Sequence, residues 1–232
     1  MQHSWVIAFD ISTKPGYAIF HQGKLLQYGT LFADRNTASF GPYPENYVLF
    51  AENVVQRLRD EVIAPVLQAG ATVGEIAFVA EETTPGRSNY SQKSLEYIHF
   101  LLVQLIIRGY KGSLVYIRDG IWKRVCGATQ NKSERNHNAR VRRYKLTHGT
   151  KLAKFKDAKG KLRVAGKFTR QHYYIRAVKE IFGIQLKQKD EDAGAAILVG
   201  LSYLRGAPLC DGSDTGGLLP KEPSRWNLKP RN

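Results

Sequence analysis

Cysteine is nearly missing from this 232-residue chain, which holds only Cys126 and Cys210. Two thiols are too few for a disulfide framework or a Cys-rich zinc site, and they fit a reducing compartment. Long apolar runs are missing too: none reaches the roughly 18 residues of a spanning helix. The opening MQHSWVIAFD lacks a basic stretch followed by an apolar signal core. The expectation is a soluble, cytoplasmic protein with no membrane partner. Acidic side chains are scarce relative to basic ones, with Asp+Glu 20 against Lys+Arg 35, a formal net charge of +15 and a pI near 9.8. That balance favours an anionic polymer or surface as partner. What remains is ordinary: an apolar share of 43%, no internal repeat, and a length that suits one domain with a sizeable core.

The segments SWVIAFDIS and GYAIFHQGKLLQYGTLF hold three apolar, β-branched or aromatic stretches. Lys14-Pro15-Gly16 and Gln22-Gly23 punctuate them, which predicts a three-stranded meander. From 44 to about 69, Val48, Phe50, Val54, Val55, Leu58, Val62, Ile63, Val66 and Leu67 recur at helical spacing, with Pro65 as a kink or stop. EIAFVAEE predicts a fourth strand ending in acids, SLEYIHFLLVQLIIRGY an apolar helix, and SLVYIRD a fifth strand. GIWKRVCG predicts a short helix. Residues 130–170 then form an irregular, strongly basic region. HYYIRAVKEIFGI resumes helical periodicity, and DEDAGAAILVGLSYLRG is a helix of small residues suited to close packing on a sheet. A meander followed by alternating helices and strands implies an α/β fold, a mixed five-stranded sheet flanked by helices. One domain is expected over 1–206, with the basic insertion inside it and an extended, Gly/Pro/Ser-rich tail over 207–232.

Carboxylates mark the ends of these elements. Asp10 ends the first strand, Glu81 the fourth, and Asp190, Glu191 and Asp192 open the last helix. If strands one and four are neighbours, Asp10 and Glu81 converge at one sheet edge, and the helix start carrying Asp192 can face them. Hard oxygen ligands gathered in this way suit Mg²⁺, or Mn²⁺ in its place. Two such ions about 4 Å apart activate a water and stabilise the leaving oxygen of a phosphodiester. Each acid also has an ordinary reading: Asp10 as a turn former, Glu81 and Glu82 as an exposed strand end, DEDA as helix-start acids facing the dipole. Together, in so basic a chain, they point to a metal-dependent nuclease whose lysines and arginines hold the polyanion.

FDISTKPGYAIF resembles the first motif of the RuvC-like Holliday junction resolvases, especially phage forms, within the RNase H and retroviral-integrase superfamily. FVAEETT resembles their second motif and DEDAGAAILVG their third. The resemblance runs from about residue 6 to 204 and implies an RNase H-like fold. It further implies Mg²⁺-dependent paired nicking of four-way DNA junctions by a homodimer in the cytoplasm of a bacterium or phage-infected host. Asp10 is then like the first metal ligand, Glu81 the second and Asp192 the last, with two ions per site. The family places its second ligand first after the apolar run, and Glu82 would point to the opposite face of the strand. Where a fourth acid or a His normally stands three residues before the last Asp, this chain has Lys189; Asp190 is preferred to Glu191 as the fourth ligand. WKRVCG and the downstream Lys132 resemble the stretch whose lysines contact phosphates near the cut, which makes Lys123 and Lys132 the candidates, Lys123 with a catalytic role.

An aromatic wedge soon after the second acid has no counterpart before Tyr90. The basic insertion is read as a DNA-binding arm or hairpin with Arg140, Arg142, Arg143 and Lys145 on phosphates. Tyr144 is its stacking residue, preferred to Trp122, Phe155, Phe168, Tyr173 and Tyr174, and the last two are expected to pack. Its ordinary reading is a solvated loop. His99 is expected to be a satisfied core residue, and no zinc is assigned to His137 or His148. Three rivals stand beside the resolvase: a flap, branched-DNA or RNA/DNA-hybrid nuclease on the same fold; a non-catalytic nucleic-acid-binding module; and an actin-like ATPase or sugar kinase, suggested faintly by DTGG at 214–217.

Overall fold

The computed structural model describes residues 3–31, 40–82, 89–149, 153–156 and 162–209. Strands β1 (Trp5–Asp10), β2 (Gly16–His21) and β3 (Lys24–Thr30) form the expected antiparallel meander. Gln22 and Gly23 turn the second corner with positive φ values of 49° and 77°, the two-residue turn whose twist matches the strands. Helix α1 (Glu45–Leu58) runs through a π turn at Arg59–Ile63 into α2 (Ala64–Gln68). Pro65 explains the loosened turn, since it has no N–H to continue the ladder. After β4 (Ile76–Glu82), helix α3 (Asn89–Val103) leads through Gln104–Gly109 to β5 (Leu114–Arg118) and α4 (Asp119–Val125). The last two long helices are α6 (Arg170–Phe182) and α7 (Glu191–Leu204).

The sheet order is β3-β2-β1-β4-β5, with β1, β4 and β5 parallel. This is the mixed five-stranded α/β sheet the sequence led us to expect. It buries both faces. Ile7, Phe9 and Phe78 pack with Phe50, Leu58, Ile98 and Leu102 on the α1–α3 side, while Val6, Ala8, Phe20 and Val79 pack with Trp122, Tyr174, Ala196 and Val199 on the α4–α6–α7 side. α7 lies unusually close to the strands because its contact face is small. A Cβ on Gly200 would stand 2.5 Å from the ring of Phe20 and 2.9 Å from the Cβ of Ala8.

The basic insertion departs from its expected irregularity. Lys132–His148 is a 17-residue helix, α5, followed by a hairpin of β6 (Ala153–Lys156) and β7 (Leu162–Ala165). The reason is local. The Asn131 side chain accepts from the Glu134 N–H at 2.9 Å while Glu134 returns a bond to the Asn131 N–H at 2.8 Å, and Gly149 closes the helix in the left-handed conformation. Both cues were present in the sequence beneath the charge. The tail from 210 on, with DTGG and Cys210, lies outside the described residues. Among the described residues no helix is long and apolar enough to cross a membrane.

Candidate active site

β1 and β4 run side by side, and Phe9 pairs with Ala80. One step further along both strands brings Asp10 beside Glu81 at the carboxyl ends of parallel strands, the edge where open α/β sheets bind ligands. The third acidic element reaches this edge because β2 begins with glycine. A Cβ on Gly16 would lie 1.9 Å from the main-chain oxygen of Asp192, so only glycine lets the first turn of α7 sit against the sheet. Asp10, Glu81, Glu191 and Asp192 thereby line one pocket of about 240 Å³, with Ile11, Ser12, Leu95, Tyr174 and Arg170.

The electrostatics follow from crowding four acids in a partly dry space. Burial holds the Asp10 carboxyl well above the usual range, the charges of Glu81 and Asp192 push it further, and Arg170 pulls it back. Burial and the neighbouring Asp119 push Glu81 up to about 7, with Lys123 opposing. The pocket is therefore short of positive charge. Its charged donors are hard carboxylate oxygens, the kind that suits Mg²⁺ or Mn²⁺. Among the described residues no group of three or more His, Cys, Asp or Glu side chains is gathered closely enough to hold a metal ion as it stands. An open carboxylate cluster of this kind is compatible with an ion that keeps several waters.

The residues singled out from sequence divide clearly. Asp10, Glu81 and Asp192 come together. Asp190 does not join them: it precedes α7, and its carboxylate accepts from the Lys187 N–H at 3.2 Å, closing its own turn. Glu191, one position on, lines the pocket in its place. Glu82 is on the other side of its strand and pairs with Arg118 at 3.3 Å. Lys123 is turned toward Asp119, one helical turn back, and its ammonium lies 5.2 and 5.4 Å from the ring centroids of Trp122 and Tyr174. Lys132 opens α5 and is exposed, as are Arg140, Arg142 and Arg143 along it; Lys145 is half-buried and Tyr144 stacks on His148 at 4.1 Å. None of these α5 residues lines the pocket. Trp122 and Tyr174 are core residues, and Tyr173 donates to the Phe168 carbonyl at 2.9 Å. His99 is buried as expected, but its Nε2 has no hydrogen-bond partner among the described residues, and burial lowers its pKa to about 4.

Two residues escaped sequence reasoning. Asp119 shares a hydrogen bond with Glu81. Its signal was the same as for Asp10 and Glu81, an acid following a parallel strand. Arg170, the first residue of α6, is the cation that reaches the pocket rim. Nothing in the sequence set it apart from the other basic residues of the insertion. α5 is fastened to that same helix: Arg176 Nε donates to the buried Glu134 at 2.9 Å and its terminal nitrogen to the Thr129 carbonyl at 2.7 Å. Asn138 bonds both main-chain groups of Phe168 at 2.7 and 2.8 Å.

Among the solved structures with a similar fold are two of RuvC. A Thermus thermophilus RuvC in complex with Holliday junction substrate superposes with a TM-score of 0.53 at 12% identity, covering 89% of this chain and 99% of that one. The fold is RuvC-like. A second Thermus thermophilus RuvC structure aligns with a TM-score of 0.50 at 13% identity, over 88% of this chain and 99% of that one. No protein-family profile and no curated protein matches by sequence. The RuvC-like frame is thus legible in the topology of the fold.

Proposed function

We propose that the chain is a divalent-metal-dependent endonuclease that resolves four-way DNA junctions by paired symmetric nicks. The observation that carries this reading is the convergence of Asp10, Glu81, Glu191 and Asp192 on one pocket, rimmed by Arg170, at the carboxyl edge of a RuvC-like sheet. Bound there, Mg²⁺ would supply an activated water and charge neutralisation at the leaving oxygen. Asp10, Glu81 and Asp192 would hold it, with Glu191 as the fourth oxygen donor. Arg170 faces the same space and neutralises the phosphate drawn in against four acids. Lys123 restrains Asp119, and through it Glu81.

The +15 chain reaches DNA through α5. Arg142 and Arg143 are exposed on it, and together with Arg140, Lys132 and Lys145 they give a cationic face for a duplex arm, with the stacked Tyr144–His148 pair as an aromatic platform for an unpaired base. Because α5 is tied to α6 through Glu134 and Arg176, a duplex held by the arm is held in register with Arg170. Two symmetric cuts need two sites related by a two-fold axis, so the active species is a homodimer. The apolar surface that favours this lies where the start of α1 meets α3: Tyr43, just before α1, and Tyr97 and Phe100 on α3 are exposed around one groove.

The experiment is cleavage of an end-labelled four-way junction by wild type and by Asp10→Asn, with Mg²⁺ and with chelator. Cutting by the wild type in Mg²⁺ alone, with the variant binding but not cutting, is expected. Equal cutting by both proteins contradicts the assignment.

A further inference from the structure

The turn that leaves β1 behind Asp10 carries a lysine that does not face water. Lys14 is 8% exposed, between the buried Ile11 and the buried Pro15–Gly16 pair. Its main-chain N–H donates to the Ser12 hydroxyl at 2.9 Å, which tightens the turn. Its ammonium crosses to another part of the fold and donates to the main-chain carbonyl of Lys189 at 2.9 Å. Lys189 belongs to the short turn Gln188–Asp190 that runs into α7, two residues before Glu191 and three before Asp192. A single side chain thus ties the element bearing Asp10 to the element bearing the last two acids.

Such a tie has a physical reason. No β-ladder joins the end of β1 to the start of α7. Beyond the body of α7, which packs on β1 and β2, the Lys14 bond and the packing of Gly16 against the Asp192 main chain act where the acids stand. Four carboxylates on three elements repel one another across the pocket, and the repulsion falls on the first turn of α7, ahead of the part of the helix packed into the core. A buried ammonium is costly unless its donors are used, and a charge-assisted bond to a carbonyl is short, directional and stronger than a neutral one. A solvated lysine would do nothing to hold this spacing.

We propose that Lys14 is a positioning residue that fixes the distance between Asp10 and the Glu191–Asp192 pair, and so sets how tightly the pocket binds a divalent cation. This rests on the reading of the pocket as a metal site. Lys14 itself touches neither metal nor DNA; its effect is on the geometry of groups that do.

The test is Mn²⁺ titration of the DNA-free protein, followed by electron paramagnetic resonance of the unbound ion, for wild type, Asp10→Asn, Lys14→Met and Lys14→Arg. Junction affinity in chelator and cleavage across a Mn²⁺ series accompany it. Lys14→Met keeps the aliphatic stem and loses the donors. It is expected to bind Mn²⁺ about ten- to a hundredfold more weakly, as changes in the shell behind metal ligands generally do. Its junction affinity in chelator should stay at the wild-type level, its cleavage should recover at high Mn²⁺, and Lys14→Arg should regain most of the affinity. Should Lys14→Met not fold, Lys14→Gln, with a shorter polar side chain, carries the same prediction at smaller size. Wild-type Mn²⁺ affinity in the Met or Gln variant overturns the proposal, as does a cleavage defect that no Mn²⁺ concentration repairs. If the wild type shows no Mn²⁺ site that Asp10→Asn removes, the metal reading falls and the role of Lys14 with it; a wild-type site left untouched by Lys14→Met sinks the role of Lys14 alone.

Discussion

Without a metal, the acidic pocket should cost the fold stability, and the cost should depend on pH in an unusual direction. A typical carboxylate is stabilised in its charged form by folding, whereas burial and Asp119 push Glu81 from an ordinary 4.5 up to about 7. Between these values the folded state keeps a proton that the unfolded chain has released, so stability falls as pH rises through that window. The step is worth about 3 kcal/mol against the ionised form. Glu81→Gln keeps the shape and removes the charge. In chelator at pH 8 the variant should therefore unfold above the wild type, by about 6–12 °C if the full penalty is expressed in a chain of this size. The gap should close as pH falls toward 4.5, and saturating Mg²⁺ should shrink it at pH 8 by compensating the wild-type charge. Thermal unfolding of both proteins from pH 5 to 8, with and without Mg²⁺, measures this. Parallel curves across the range, or a variant less stable than wild type at pH 8 in chelator, would refute the electrostatic account of the pocket.

Other consequences are as specific. Asp10→Asn should abolish cleavage while leaving junction affinity in chelator near wild type, read by gel shift and product analysis of one sample. Gly16→Ala forces a methyl into the Asp192 main chain; overpacking of this kind typically costs about 1–3 kcal/mol, and here it should also displace α7, so cleavage should fall together with the unfolding temperature. A fully active Gly16→Ala enzyme would mean that β2 and α7 need not approach so closely. Arg142→Ala and Arg143→Ala should each weaken junction binding and lower the slope of log affinity against log salt by about 1. Unchanged slopes would remove α5 from the DNA interface.

Sequence reasoning reached the sheet and its acids because each follows from a strong local signal. β1 and β2 are short continuous apolar runs bounded by tight turns, and Asp10 and Glu81 stand where strands end and Asp192 where a helix begins. It misread the segment over 130–170 because charge masked a helix: α5 buries little beyond Glu134 and Val141, so no apolar stripe announces it, and only the Asn131–Glu134 cap and Gly149 do. Asp190 was preferred over Glu191 by comparison with the motif the segment resembles, yet one residue at a helix start decides whether a side chain closes its own turn or enters the pocket. Arg170 and Lys14 were out of reach for a different reason. Both act across the fold, Lys14 by its bond to the Lys189 carbonyl and Arg170 by its charge on Asp10, and no local pattern marks a long-range partner.

The most direct measurement is cleavage of end-labelled four-way junction, flap and linear duplex by the purified protein, with both strands of each cut mapped. Paired nicks at symmetric positions in the junction, absent from the linear duplex and lost with chelator, are the predicted result. Equal cutting of flaps would make the protein a broader structure-selective nuclease, and junction binding with no cutting in Mg²⁺ or Mn²⁺ would contradict the catalytic reading of Asp10, Glu81 and Asp192.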